Sequence, residues 1–466
     1  MRHSGIKSCL AQFLRFYRRR KWKLLISIIL IGCIFYICLC SLEMTKRENL
    51  SLVRDLKSRL DTADVLYDVR GGTEKINSEI SQQNRITSTT FGNSVHIRPK
   101  SLPDNFPIFN LSNSTKKTRM KEPFKPFLAE ISLDCMYSSS PSYMPDLLNY
   151  LSSAKISNVE YFNVGTQVKF IVRFEDGNEA IAKPKRHPRD VYWAYDKNQP
   201  FWLDEERHTS EIAAFHLDRI LNYRRVIPCA GRRVNFTAEV LNNTKDPAIL
   251  RNLTKKNGNN CFIGDCVPWF CNKDHMICDE DGGFMELVLC QKIPGDMPGV
   301  PNPWSQGPRE AKVWKNKNIC KEVLNDTKIQ EGRYFLDLME LALFDHLIVN
   351  YDRHHIPRLN FIDTKKSFLV INDNGKGFGN PFKDDVTFLA PIYQCCRFRN
   401  STYQHILSFK KENNSLGTLM KLSLSQDSLA PILTEPFFAT LDRRLSQFYF
   451  VMSKCLETHG EDAVLV

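Results

Sequence analysis

Residues 1–23 contain no Asp or Glu, residues 24–42 contain no charge, and residues 43–125 contain few aromatics. The acid-free start carries eight Lys or Arg, so of the formal net charge of +12 only +4 belongs to the rest of the chain. That excess is a membrane-topology signal rather than the basic face of a nucleic-acid binder, and no nucleic-acid partner is expected. The uncharged run from Leu24 to Leu42 is just long enough to cross a bilayer as a helix. No clear small-residue cleavage site accompanies it, which favours an uncleaved anchor over a removed signal peptide. The cluster Arg18, Arg19, Arg20, Lys21 and Lys23 lies before the run, so the C-terminal bulk is expected to be lumenal. No N-glycosylation sequon precedes the run, whereas nine follow it, at Asn49, Asn110, Asn113, Asn235, Asn242, Asn252, Asn325, Asn400 and Asn413.

Beyond the anchor, 43–125 lacks sustained periodicity apart from Leu50 to Leu66, and its Gly, Ser/Thr and Pro/Asn stretches read as a stem or linker. The resulting organisation is a basic cytosolic tail over 1–23, an anchor over 24–42, a stem over 43–125 and a folded domain over 126–466. The sequence has fifteen cysteines. The cluster Cys261, Cys266, Cys271 and Cys278 has no CxxC spacing and only His275 as a nearby ligand, so disulfides of an oxidising compartment are expected over a zinc knot.

The chemistry concentrates in Val349 to Asn380. Asp352 follows an apolar, helix-like run from Phe335 to Val349 and opens a polar loop with Arg353, His354 and His355. Asp373 follows a β-like run, Phe368 to Ile371, and precedes a glycine-rich turn through Gly379. Taken singly, either is an ordinary cap or turn residue. Together they match phosphoryl transfer, which needs one carboxylate to orient and accept the proton of a hydroxyl and another to hold a divalent metal on the phosphates. His354 and His355 are read as shaping the loop, not as metal ligands.

Upstream, Val164 to Phe174 reads as a glycine turn followed by an alternating strand. Glu175 to Asn178 is a hairpin turn, and Glu179 to Lys183 is the returning strand. Lys183 alone is an ordinary strand-end charge. Its significance comes from Ser210 to Leu221, where Ile212, Phe215, Ile220 and Leu221 have helical spacing and Glu211 lies in the first turn. A strand lysine and a helix carboxylate form the usual kinase pair.

The segments GTQVKF, KPKR, EIAAFHLDRIL, GRRVN, CFIGDC, DRHH, DNGKGFG and LAPIYQCC occur in this order, from about Asn158 onward. In this the chain resembles the secretory-pathway kinase family of the Golgi casein kinase and the glycosaminoglycan xylosylkinase. The resemblance implies an α+β fold, an atypical bilobal protein kinase stapled by disulfides behind its anchor. It implies Asp352 as catalytic base and Asp373 as ligand of both nucleotide and metal. Gln167, Lys169 and Lys183 would lie around the nucleotide, Glu211 would approach the metal, and the backbone of Cys290, Gln291, Lys292 and Ile293 would meet the adenine edge. The implied cofactors are ATP and Mn²⁺, with Mg²⁺ as the substitute. The implied disulfides are Cys261–Cys278, Cys266–Cys271, Cys320–Cys395 and Cys396–Cys455, leaving Cys135, Cys229 and Cys290 unassigned.

Where the family continues DRHH with an aromatic and then Glu, this chain has Ile356 and Pro357, which puts one nucleotide contact in question. Two acceptors compete. KPKRHPRD, Gly379 to Pro381, LAPIYQCC and Gly460 to Val466 look more like the xylosylkinase branch, which implies xylose in a proteoglycan linkage glycan. Ile212 with Ala213 and Ala214, and Leu441 to Leu445, look equally like the protein-kinase branch, which implies serine of a secreted protein in a Ser-x-Glu setting. A pseudokinase that activates a related kinase is opposed by the retained Lys183, Glu211, Asp352 and Asp373, and a disulfide-stapled adhesion domain leaves the paired carboxylates unexplained. The expected place is the Golgi membrane, single-pass type II with a lumenal catalytic domain, or secretion after stem cleavage. A related kinase or a second copy is the protein partner to be expected.

Overall fold

The computed structural model describes residues 122–192, 206–268, 270–280, 282–304, 318–330, 332–360, 362, 366–410 and 414–466. The anchor expected over 24–42 and nearly all of the stem lie outside these residues. No helix among the described residues is long and apolar enough to cross a membrane. A short helix, α1 (Phe124–Glu130), buries Phe127 and runs across the expected end of the stem at 125.

After α2 (Met144–Ser153) come β1 (Ile156–Tyr161), β2 (Phe170–Phe174) and β3 (Glu179–Pro184). The expected hairpin is β2–β3, in register from Phe170 opposite Ala182 to Arg173 opposite Glu179. Its turn closes on Gly177, whose φ of +84° favours glycine. The helix α3 (Thr209–Ile220) follows, then β4 (Cys229–Asn235), a three-stranded ribbon of β5 (Leu253–Lys256), β6 (Asn259–Phe262) and β7 (Ile277–Cys278), and β8 (Phe284–Gln291). The main sheet is antiparallel in the order β1-β2-β3-β8-β4. A short β9 (Gly299–Pro301) leads to the helical half, where α4 (Tyr334–Ile348) runs into β10 (His355–Pro357), paired with β9. The remaining helices used below are α5 (Ala390–Cys395), α6 (Asn400–Leu407), α7 (Leu416–Leu424) and α8 (Pro436–His459).

Two sequence expectations change. An amphipathic stripe was expected on α3, yet all twelve of its residues are buried. Its polar side chains find partners inside: Asp218 accepts from the Tyr137 hydroxyl at 2.7 Å, and the Ser210 hydroxyl donates to the Gly377 carbonyl at 2.9 Å. A helix without an exposed face needs such partners, because an unpaired buried polar group is costly. The run Phe368 to Ile371, expected as a strand, is fully buried but irregular. Its N–H groups go in turn to Leu133, the Asp337 carboxylate, Pro357 and Arg225, so no single neighbouring strand pairs with it. Helix α7 ends at Leu424, and the chain then turns to lie against β4. There Asp427 accepts from the Gly231 N–H at 3.0 Å, and a Cβ at Gly231 would fall 2.4 Å from that carboxylate.

All four disulfides implied by the resemblance are present, and a fifth joins Cys229 to Cys290. These two face each other across β4 and β8, while the Gln291 N–H donates to Pro228 one position on. That places them at a non-hydrogen-bonded position, where antiparallel strands bring opposed side chains closest. Cys135 is a free thiol. The Cys320–Cys395 bridge spans 75 positions and encloses both Asp352 and Asp373. Replacing both cysteines with serine is expected to lower unfolding stability by about 2–5 kcal/mol, read from urea melts. A loss below about 0.5 kcal/mol would show that the loop is held by its packing alone.

Candidate active site

The site is assembled from four elements that are remote in sequence. Lys183, at the end of β3 opposite Val288, is 7 % exposed and points out of the sheet toward three carboxylates. Its Nζ lies 2.6 Å from Glu211, 2.7 Å from Asp373 and 2.9 Å from Glu206. Burial alone would lower the lysine pKa, but Asp373, Glu206 and Glu211 outweigh it and hold the ammonium well above its ordinary value. Lys169, on the approach to β2, adds a second ammonium at 3.6 Å from Asp373 and 3.9 Å from Glu206. Lys169 and Lys183 together hold the Asp373 carboxyl well below the usual carboxylate range. The Asp373 side chain remains half exposed.

Asp373 adopts a left-handed backbone conformation, φ +53°, uncommon for a residue with a side chain and a form of local strain that gathers at functional sites. Neighbours over-determine it. Buried Arg353 reaches Asn374 Oδ1 at 2.5 Å, the Asn372 carbonyl and the Asp345 carboxylate. The Asn374 N–H donates to Glu211 at 2.9 Å. Both Glu211 oxygens are therefore engaged, one by Lys183 and the Asn374 N–H, the other by the Asn374 side chain at 3.2 Å.

Glu206 was not singled out from the sequence. It lies before α3, so helical periodicity gives no signal for it; the adjacent acids Glu205 and Glu206 before Arg207 were the only cue. Two contacts place it: the Glu206 N–H donates to Gln167 Oε1 at 3.2 Å, and the next N–H, of Arg207, donates to the Gly375 carbonyl at 2.7 Å. A Cβ at Gly375 would sit 2.8 Å from both the Glu206 carboxylate and its Cγ. Gly375→Ala is expected to displace Glu206 and weaken Mn²⁺–ATP binding by about 10–100-fold, the usual cost of disturbing a metal's supporting residues. An unchanged affinity in the folded variant would remove Glu206 from the site.

Asp352 follows α4, which ends where Val349 turns left-handed at φ +54°. Asn350 ties the two key carboxylates together: its Oδ1 accepts from the Asp352 N–H at 3.1 Å, and its Nδ2 donates to the Asp373 carbonyl at 3.4 Å. The Asp352 carboxylate is about one-third exposed and meets Lys376 at 2.9 Å and His354 Nδ1 at 3.2 Å. Lys376, the lysine of the glycine-rich turn, is thus a structural partner of the candidate base, and His354 shapes the loop as expected. Asp352 and Asp373 line one cavity of about 430 Å³ with His354, Met297, Gly299 and Pro357. The departure from the family wording at Pro357 therefore falls on the wall of that cavity.

The expectation for Cys290 to Ile293 narrows. The Gln291 and Lys292 N–H groups already donate to the Pro228 and Glu179 carbonyls, each at 3.0 Å, and the Lys292 ammonium pairs with Glu179. These two donors serve the sheet, so an adenine edge would have to meet Ile293 or the carbonyls of the run. Among the described residues, no group of three or more His, Cys, Asp or Glu side chains is preset to hold a metal. The donor set nonetheless suits a hard divalent cation, which is commonly held by one or two carboxylates plus substrate phosphates. Asp373 and Glu206 would supply the oxygens, and buried Gln167 Nε2 is a donor without an acceptor among the described residues.

A family model described as "Golgi casein kinase, C-terminal, Fam20" matches residues 122–464. The human extracellular serine/threonine protein kinase FAM20C is 36 % identical over 337 residues, covering 71 % of this chain and 57 % of that protein. The match thus spans less than two thirds of that relative's length. The human glycosaminoglycan xylosylkinase is 33 % identical over 334 residues, covering 70 % of this chain and 79 % of that protein. Among solved structures, the Golgi casein kinase with Mn/ADP bound aligns with a TM-score of 0.70 at 30 % identity, over 74 % of this chain and 84 % of that one. A hydra Fam20 solved with sugar aligns with a TM-score of 0.68 at 32 % identity, over 74 % of this chain and 98 % of that one.

Proposed function

Because the chain belongs to the Fam20 family of the Golgi casein kinase, we propose that it transfers the γ-phosphate of ATP to a hydroxyl, most directly the 2-OH of xylose in the linkage between glycosaminoglycan and protein. The observation that carries the kinase reading is Lys183 bridging Asp373, Glu206 and Glu211 beside a cavity that Asp352 also lines. Lys183 and Lys169 give point charges for phosphate oxygens. Gln167 anchors Glu206 and offers its free Nε2 to the same region. Asp373 and Glu206 would hold Mn²⁺, or Mg²⁺ in its place, and Glu211, with both oxygens already engaged, positions Lys183 and the Asn374 turn. The bound cation supplies charge neutralisation on the phosphates. Asp352 orients the acceptor and takes its proton as the new O–P bond forms and the bond to the leaving ADP breaks. A pseudokinase reading leaves this complete set of groups without a purpose.

For the acceptor, identity to the two human relatives is close, 36 % and 33 %. The xylose reading is supported by the sequence segments that resemble that branch, KPKRHPRD, Gly379 to Pro381, LAPIYQCC and Gly460 to Val466. Action in the Golgi lumen, behind a type II anchor over Leu24 to Leu42, completes the proposal. The test offers the chain Mn²⁺–ATP with a galactosyl-xylosyl acceptor and, separately, with a Ser-x-Glu peptide. Phosphate on xylose is expected. Phosphate on the peptide serine and none on the sugar would make it a secretory protein kinase.

A further inference from the structure

A second cavity, of about 400 Å³, shares no lining residue with the Lys183–Asp373 cluster. It lies where the turn after α3 meets α4 and the start of α6, and its volume is in the range of small-ligand sites. Its floor is an ion-pair network. Arg225, Arg333 and Arg399 converge on two carboxylates, Asp337 and Glu340, that are fully buried on α4. Arg225 meets Glu340 at 2.5 Å and Arg399 meets it at 2.6 Å, while Arg333 and Arg399 both reach Asp337 at 3.0 Å. Three guanidiniums therefore share two buried acids. Of the further acids there, Asp134 pairs with Arg333 from a side chain 86 % exposed, Asp218 accepts from the Arg225 N–H, and Glu130 faces Arg224 at longer range.

A fourth guanidinium, Arg224, lines the cavity and bonds the Asn222 carbonyl at 3.4 Å, with no carboxylate at ion-pair distance among the described residues. Two buried donors on the lining, Arg225 Nε and the Tyr223 hydroxyl, have no acceptor among the described residues. A purely structural network accounts for the ion pairs between the two halves of the domain. It does not account for two orphaned donors beside an open volume, since buried donors are nearly always paired.

We infer that this cavity binds a tetrahedral oxyanion, a phosphate group either free or as a monoester, through Arg224, Arg225 and Tyr223. Guanidinium groups suit the task because their fixed fork matches phosphate oxygens. The volume leaves room for the organic part of an ester. The inference does not depend on the kinase reading.

The test titrates the full chain, free of nucleotide and metal, with inorganic phosphate and separately with glycerol 2-phosphate. Ionic strength is held constant with sodium chloride, and binding is read by calorimetry and by thermal shift. Saturable binding is expected, weakened about tenfold in Arg224→Gln and in Tyr223→Phe, each the loss of one charge-assisted contact. Lys183→Met, which removes a phosphate-binding charge from the other site, is expected to keep it. Tighter binding of the ester identifies a phosphorylated ligand, and equal binding identifies the free ion. Absence of saturable binding to the wild type, or binding unchanged in both Arg224→Gln and Tyr223→Phe, overturns the inference. Binding lost in Lys183→Met but kept in Arg224→Gln overturns it as well, by placing the anion in the phosphoryl-transfer site.

Discussion

Asp352→Ala is expected to bind Mn²⁺–ATP as the wild type does and to transfer phosphate about 10²–10⁴-fold more slowly, the range that one general base contributes. The separation of the two effects follows from geometry. Asp352 contacts Lys376 and His354 and none of the lysines that would face the phosphates. The turn bearing Asp373 is held by Arg353 and Glu211, which the substitution leaves in place. Single-turnover rates with bound nucleotide measure the chemical step apart from release. A rate within a factor of about three of wild type would leave no room for a base at this position.

The complementary variant, Asp373→Ala, is expected to fail one step earlier. Asp373 offers a half-exposed carboxylate to the cavity while neutralising Lys169 and Lys183. Its removal takes away a metal oxygen and leaves the two ammoniums facing Glu206 and Glu211. Metal-dependent nucleotide affinity is expected to fall by at least about 100-fold, beyond the loss from disturbing a supporting residue. Nucleotide binding in the absence of metal is expected to persist, because the lysines remain and are less neutralised. Titration of ATP with and without Mn²⁺ separates the two. Undiminished Mn²⁺–ATP affinity in the folded variant would mean that the metal is held elsewhere.

Much of this arrangement is written in local pattern. The β2–β3 hairpin follows from two strand-like runs around a glycine turn, so Lys183 is placed on its strand by local pattern. Helix α4 and the loop opened by Asp352 follow from a largely apolar, helix-like run and its end. What was not legible depends on contacts between distant parts of the chain. Glu206 enters the site because the Arg207 N–H meets the Gly375 carbonyl, and nothing in the spacing of either segment announces that bond. Phe368 to Ile371 has the composition of a strand, but its backbone donors are divided among four segments, which composition does not reveal. The same holds for Lys376, an ordinary lysine of the glycine-rich turn until its 2.9 Å contact with Asp352 is seen. It holds too for Cys229–Cys290, which needs the β4–β8 register before the two thiols can be paired.

The central claim is that Lys183, Glu206, Glu211, Asp352 and Asp373 form a working phosphoryl-transfer site and not only a nucleotide-binding one. The most direct measurement is the Mn²⁺-dependent conversion of ATP to ADP by the purified chain in the presence of a hydroxyl acceptor, with Asp352→Ala alongside. Turnover that requires both the metal and the acceptor, and that collapses in Asp352→Ala, is the expected result. Saturable Mn²⁺–ATP binding with no more turnover in the wild type than in Asp352→Ala, whichever acceptor is offered, would contradict it.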